Sequence, residues 1–298
     1  FMDSFKKLAS AEDASVNFVA EAKHPKSGLI EARFVQRSQD YFIVYLSSQT
    51  GCDKACRMCH LTATGQNDSY NLDVSQFVDQ ANVVLDHYDQ TGIDAPLVHY
   101  NFMSRGEPLD NPLMVEHPHL ILRPLAELAK ARGLEYKFLI STILPNTLGY
   151  VTSLPSIFSD PELYPEIYYS LYSVNPSFRK RWLARAHRAE LGLDMLAEWQ
   201  RFSGKVPKIH FAFIEGENDS EEDVRALCEA ITSRDLRVNF NIVRYNPHSE
   251  KYGKESDEAT INRNVDIMRE LLKPDQFKIV PKVGFDIKAS CGMFVEDY

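Results

Sequence analysis

The sequence predicts an α/β chain: a partial (β/α)6 TIM-like barrel, open rather than closed, with a β-hairpin extension at its N-terminal side. Three observations lead there. From residue 41 onward, strand-like and helix-like stretches alternate six times, and such alternation builds a parallel sheet with right-handed crossovers. Six units fall short of the eight that close a full barrel. A crowd of cysteines follows the first of these strands, at the end where such sheets place their chemistry.

The leading hairpin comes from residues 29–35 and 41–47, which pair across residues 36–40. The later strands are 96–102, 135–141, 166–172, 207–214 and 237–244, each rich in β-branched or aromatic residues. Val74, Phe77, Val78, Ala81, Leu85 and Tyr88 share one helical stripe that ends near Gly92. A second helix spans residues 118–132, with Gly133 as its stop, and a weaker one follows Pro145. Residues 177–202 read as two helices broken near Gly192. Ser220, three residues before Asp223, opens a helix whose apolar face is Val224, Leu227, Cys228 and Ile231. The last helix carries Ile261, Val265, Met268 and Leu272. Residues 2–28 read as a short polar segment with room for one helix. The expected division is 2–40, the N-terminal segment and hairpin, and 41–298, the barrel with a C-terminal cysteine segment.

The 298 residues are 44% hydrophobic and 25% charged, the balance of an ordinary globular domain. No apolar run approaches the ~18 residues of a membrane span, and the first thirty residues lack the layout of a secretion signal. The expectation is a cytoplasmic chain without a membrane partner. A net charge of −9 argues against coating nucleic acid by bulk charge, yet leaves room for a local basic patch. Five cysteines, three of them within eight residues, make no disulfide framework; a reduced chain holding a metal fits them better.

Cys52, Cys56 and Cys59 form C-x3-C-x2-C. Three thiolates at this spacing can ligate three irons of a [4Fe–4S] cluster and leave the fourth iron open to a substrate or cofactor. Structural zinc, held by the same cysteines and His60, is the other reading; zinc sites usually add a second distant pair, and this sequence has none.

With Ser47-Ser48-Gln49-Thr50-Gly51-Cys52, Ser104-Arg105-Gly106-Glu107-Pro108-Leu109, Ile140-Ser141-Thr142, Ser170-Leu171-Tyr172, Arg244-Tyr245-Asn246-Pro247 and Asp286-Ile287-Lys288-Ala289-Ser290-Cys291-Gly292, the chain resembles the radical S-adenosylmethionine superfamily. Within it, the chain resembles the RlmN/Cfr-type RNA adenosine C-methyltransferases, in order from about Leu29 to the end. The resemblance implies S-adenosylmethionine bound by its amino and carboxylate groups to the open iron, and cleaved on reduction to a 5′-deoxyadenosyl radical. It implies an electron donor such as flavodoxin or ferredoxin. It also implies Cys291 as the methyl carrier, because an electron-poor adenine carbon cannot attack a methylsulfonium whereas a thiolate can.

Around the cofactor, Gly106, Glu107 and Pro108 follow the second strand, where a carboxylate can accept from the cofactor's ammonium group; alone, the tripeptide is also an ordinary turn. Ser141 and Ser170 end strands and suit the ribose or carboxylate, or simply satisfy nearby amides. Asn246 is a cofactor contact by resemblance, and Asn-Pro is also a plain turn. Glu31 matches the glutamate that removes the ring proton; an exposed strand glutamate is the bland reading.

The resemblance breaks at Tyr45, where the family has the resolving cysteine that forms a disulfide with the methyl carrier. A phenol cannot do so. Cys228 falls on an apolar helix stripe and reads as core. Tyr172, Val283 and Phe285 replace the family's His, Arg and Asp. Only about 28 residues precede Leu29, so the helical accessory domain of the family is expected to be lacking. A compensating grip on structured RNA is offered by Arg179, Lys180, Arg181, Arg185 and Arg188 around Trp182, a run that also fits a solvated helix face. The expected function is methylation of an adenosine carbon in structured RNA, ribosomal or transfer. The alternative is a diverged enzyme with a non-RNA substrate or without methyl transfer, because of Tyr45.

Overall fold

In the computed structural model, which describes residues 4–23 and 28–297, four antiparallel strands lead the chain: β1 (Lys6–Ala9), β2 (Val16–Glu21), β3 (Leu29–Val35) and β4 (Tyr41–Tyr45). The elements that follow are α1 (His60–Ala63), α2 (Val74–Thr91), β5 (Leu97–Phe102), α3 (Pro112–Glu116), α4 (Pro118–Lys130), β6 (Glu135–Thr142), α5 (Leu154–Ile157) and β7 (Glu166–Tyr169). Then come α6 (Pro176–Trp182), α7 (Ala189–Ser203), β8 (Lys208–Phe211), α8 (Glu221–Thr232), β9 (Asn239–Ile242), α9 (Glu258–Leu272) and β10 (Phe277–Ile279). All ten strands join one sheet in chain order, parallel from β4 to β10. This is the open, partial barrel expected, with one parallel strand more than the six expected units. The short β10 has exposed Lys278 and Ile279 and offers no hydrophobic run to find it by.

The hairpin pairs as expected, with Arg33 opposite Tyr45 and Val35 opposite Ile43. Ahead of it the expectation fails. Residues 2–28 hold no helix among the described residues (2, 3 and 24–27 lie outside them) but two strands, β1 and β2. β2 buries Val16 through Ala20 on both faces. One face meets the main core; Val19 on the other packs with Leu29 and Val295, a partner near the far end of the chain.

The helices cover the sheet as the periodicity demands. α2 starts on a capping box of Asp73 and Gln76 and ends at Gly92 with φ 71°; its Phe77, Ala81, Val84 and Leu85 are fully buried. The break in the 177–202 region falls at residues 183–188, not at Gly192, which lies inside α7. Glycine is needed there because a Cβ would overlap the Tyr169 hydroxyl, so it marks a close approach rather than a stop. Among the described residues, no helix is long and apolar enough to cross a membrane.

Candidate active site at the open barrel face

The loop after β4 presents Cys52, Cys56 and Cys59 to one cavity, and the loop is held from several directions. The Cys52 N–H donates to the Gln66 carbonyl at 3.1 Å, and the Arg57 N–H to the Trp182 carbonyl at 3.0 Å. Gly51 has no room for a Cβ, which would strike the carbonyls of Asp68 and Gln66. Lys54, 2% exposed, pairs with Asp53 and Asp110. Arg57 lies over the rings of Trp182 and Tyr252, and Arg185 donates to the Asp53 carbonyl.

Gly106, Glu107, Ser141, Ser170, Asn246 and Cys291 line that same cavity. Glu107 is buried; its Oε1 accepts from Thr142 Oγ1 (2.7 Å) and the Ile143 N–H (2.8 Å), and its Oε2 from the Leu109 N–H (3.0 Å). With two lone pairs per oxygen, one acceptor position on Oε2 is left. Burial pushes this carboxyl up to about 7. Thr142, part of the Ile140-Ser141-Thr142 stretch but given no role from the sequence, both anchors Glu107 and lines the cavity; its signal was the place beside Ser141 at a strand end. Gly106 has φ 88°, and the close approach it permits is to Gln49. Pro108 does not line the cavity but opens the 3-10 turn that Glu107 caps. Ser141 Oγ donates to Asn101 Oδ1 at 2.9 Å, and the Ser170 N–H donates to the Thr142 carbonyl.

Asn246 donates through Nδ2 to the Cys291 carbonyl at 3.0 Å, while its buried Oδ1 has no hydrogen-bond partner. His60 does not line the cavity: its Nε2 meets the Asn246 carbonyl at 2.8 Å. Among the described residues, no three His, Cys, Asp or Glu groups converge on one point as they would around a single ion. Burial pushes all four cavity thiols up, the reverse of what a bound metal does to a ligand thiol.

Glu31 lies elsewhere. It is fully buried in β3, where Oε2 accepts from Arg105 Nε (2.6 Å) and Oε1 from Asn17 Nδ2 (2.8 Å) and Arg33 Nη2 (3.2 Å). Arg33 and Arg105 in turn donate to the carbonyls of Lys288, Met293 and Val295. This network, whose Arg33 and Arg105 the sequence reading did not single out, ties down the segment that carries Cys291. The basic run divides as well. Arg179 is buried, donating to the carbonyls of Leu171 and His187, and Trp182 is 1% exposed; neither can meet RNA. Lys180, Arg181, Arg185 and Arg188 are exposed. Cys228 is in the core, as read.

No protein-family model matches the chain. A probable dual-specificity RNA methyltransferase RlmN of Lactococcus lactis subsp. cremoris is 25% identical over 275 residues, 90% of this chain and 71% of that protein. A probable RNA methyltransferase of Rhodopirellula baltica is 26% identical over 303 residues, 98% of this chain and 73% of that one. In sequence the chain is similar to RlmN-type RNA methyltransferases. In fold it is similar to a solved radical SAM methyltransferase from Sphaerobacter thermophilus, with a TM-score of 0.81, 19% identity, and coverage of 98% of this chain and 81% of that one.

The cofactors are a [4Fe–4S] cluster and S-adenosylmethionine. The donor set of the site fits them. Three thiols facing one space are ligands of the kind an iron–sulfur cluster takes. Beside them, the unpartnered Asn246 Oδ1 and the last acceptor position of Glu107 are left for a polar ligand.

Proposed function

We propose that this chain methylates an adenosine carbon in structured RNA, ribosomal or transfer, by radical S-adenosylmethionine chemistry through a methylated Cys291. The observation that carries the proposal is that Cys291, far along the chain, lines the same cavity as Cys52, Cys56 and Cys59.

When bound, the cluster and its sulfonium cofactor supply a methyl group and, on reduction by a donor such as flavodoxin or ferredoxin, a 5′-deoxyadenosyl radical. The three loop thiolates hold the cluster. Glu107 accepts from the cofactor's ammonium on its remaining lone pair, with Gly106 and Pro108 shaping the turn that presents it. Ser141, Ser170 and Asn246 offer polar groups to the ribose and carboxylate. Cys291 takes the methyl group as a thiolate; its S-methyl then loses a hydrogen atom, and the carbon radical adds to the ring.

Glu31 in this reading positions the Cys291 segment through Arg33 and Arg105, in place of the proton-abstracting task expected of it. The ring radical left by this addition returns one electron to the oxidised electron donor and gives its ring proton to water. Tyr45 cannot open the resulting thioether, so an external thiolate attacks the Cys291 sulfur to form a mixed disulfide, the sulfur–carbon bond breaks, and the carbon takes the electron pair and a proton to become methyl. Exposed Lys180, Arg181, Arg185 and Arg188 meet RNA phosphates. The described residues of the N-terminal division, 2–40, brace the Cys291 segment and the division 41–298 carries the chemistry, in the reducing cytoplasm.

Anaerobically reconstituted protein given the cofactor should gain one methyl mass on the Cys291 peptide, and RNA from cells expressing it should gain a methyladenosine. Unchanged nucleosides together with an unmodified Cys291 would refute the proposal.

A further inference from the structure

A second cavity, of about 590 Å³, lies inside the partial barrel, within the size range of small-ligand sites. Its wall draws on residues at the start of strands, among them Tyr41, Leu97, Glu166 and Lys208, so it opens at the strands' N-terminal ends. The cluster loop follows the C-terminal end of β4. The two cavities share Met103, His210 and Cys291. Cys291 is therefore within reach from both sides.

The wall of this lumen is unlike a barrel core, which is normally packed with branched apolar side chains. In a chain of net charge −9, it carries Arg37, Lys137, Lys208 and Lys278 against Asp40 and Glu166, and Glu166 already faces Lys137 at 3.6 Å. Lys208 is 9% exposed and lies 5.1 Å from the centre of the Tyr168 ring, and its ammonium makes no ion pair among the described residues. Burial and the repulsion of Lys278 and Lys137 pull it down to about 8. His210, 8% exposed, has no partner on Nδ1, and Asn241 has none on Oδ1. Buried polar groups and an unbalanced charge cost stability unless something pairs with them.

We propose that the lumen is a phosphate subsite for the methyl acceptor: a nucleotide enters from the N-terminal ends of the strands, Lys208 and Lys278 hold its phosphate, and its base passes His210 to reach Cys291. Lysine suits the task, being a compact charge that binds phosphate without bidentate geometry. The inference rests on Cys291 as methyl carrier. It adds where the acceptor enters and which group is read there. The phosphate can belong to an RNA strand or to a free mononucleotide.

The test measures equilibrium binding of adenosine, adenosine 5′-monophosphate and a short adenosine-containing RNA to the reconstituted holoprotein. Lys208→Met/Lys278→Met is compared with Lys130→Met, an exposed control on α4. In the unaltered protein a phosphate-bearing ligand should bind better than adenosine, a comparison that needs no variant. The lumen variant should lose about tenfold of that advantage, with adenosine binding unchanged. Equal binding of monophosphate and oligonucleotide assigns the site to a free nucleotide, and a preference for the oligonucleotide assigns it to RNA. Equal affinities across the lumen variant and the control overturn the proposal, as does a phosphate that brings no gain with either ligand. Methyl mass on Cys291 is read in parallel: its absence, with phosphate binding still lost in the variant, sinks the methyl-carrier reading and leaves the lumen site standing.

Discussion

Asn246 holds Cys291 by the main chain. Its Nδ2 donates to the Cys291 carbonyl at 3.0 Å, the Asn246 carbonyl meets His60 Nε2 at 2.8 Å, and the His60 N–H donates to the Gly292 carbonyl at 2.9 Å. Three distant pieces of chain, the cluster loop, the turn after β9 and the C-terminal segment, are thereby locked together. Asn246→Ala should cost about 1 kcal/mol of stability and lower methyl loading of Cys291 well beyond that of an exposed control, as read by peptide mass. Normal loading would mean that the segment is positioned without this bond.

The cluster assignment separates five cysteines into two groups. Cys52→Ala, Cys56→Ala and Cys59→Ala should each remove the brown colour and most of the iron of anaerobic preparations. Cys228→Ala and Cys291→Ala should retain both. Iron analysis beside the visible spectrum decides it, and retention of a full cluster by any of the first three would count against the ligand set.

Glu31 sits between two arginines, with Arg105 fully buried. Glu31→Gln keeps the shape and strands a buried charge, at a cost of about 3–5 kcal/mol, so the melting temperature should fall by roughly 10 °C. Adding Arg105→Met should recover part of that loss. A turnover defect with an unchanged melting curve would instead mark Glu31 as a proton acceptor.

Gly192 offers a test of sign. In an exposed helix interior, glycine to alanine stabilises by up to about 1 kcal/mol. Here the new methyl would overlap the Tyr169 hydroxyl, so Gly192→Ala should destabilise by about 1–3 kcal/mol in a denaturant melt, and Tyr169→Phe added to it should relieve part of the strain.

The Glu107 carboxyl titrates at about 7 in the cluster-free fold, against an ordinary 4.5. A raised carboxyl binds its proton more tightly in the folded than in the unfolded chain, so its contribution is fully present below pH 4.5 and is lost as pH climbs to about 7. The loss is on the order of 3 kcal/mol. Cluster-free Glu107→Gln should therefore gain on the unaltered protein between pH 5 and pH 8; parallel pH profiles would refute this.

The sequence by itself determined the strand–helix alternation, the helix ends at Gly92 and Ser220, and the cysteine triad. Each is local: a period, a cap, or a spacing of a few residues. Cys291, Glu107, Ser141, Ser170 and Asn246 were legible through short stretches at strand ends, the part of a parallel sheet where loops converge. Only the tertiary structure decided the rest. β2 could not be read because one of its faces is covered by the end of the chain. Arg179 looked like a surface charge until the carbonyls around it were in place. Gly192 looked like a break because nothing local reveals the Tyr169 hydroxyl. Glu31 and Arg105 meet across many intervening residues, as do the lysines of the lumen. Burial and charge balance are properties of which segments come together, and no window along the chain contains both partners.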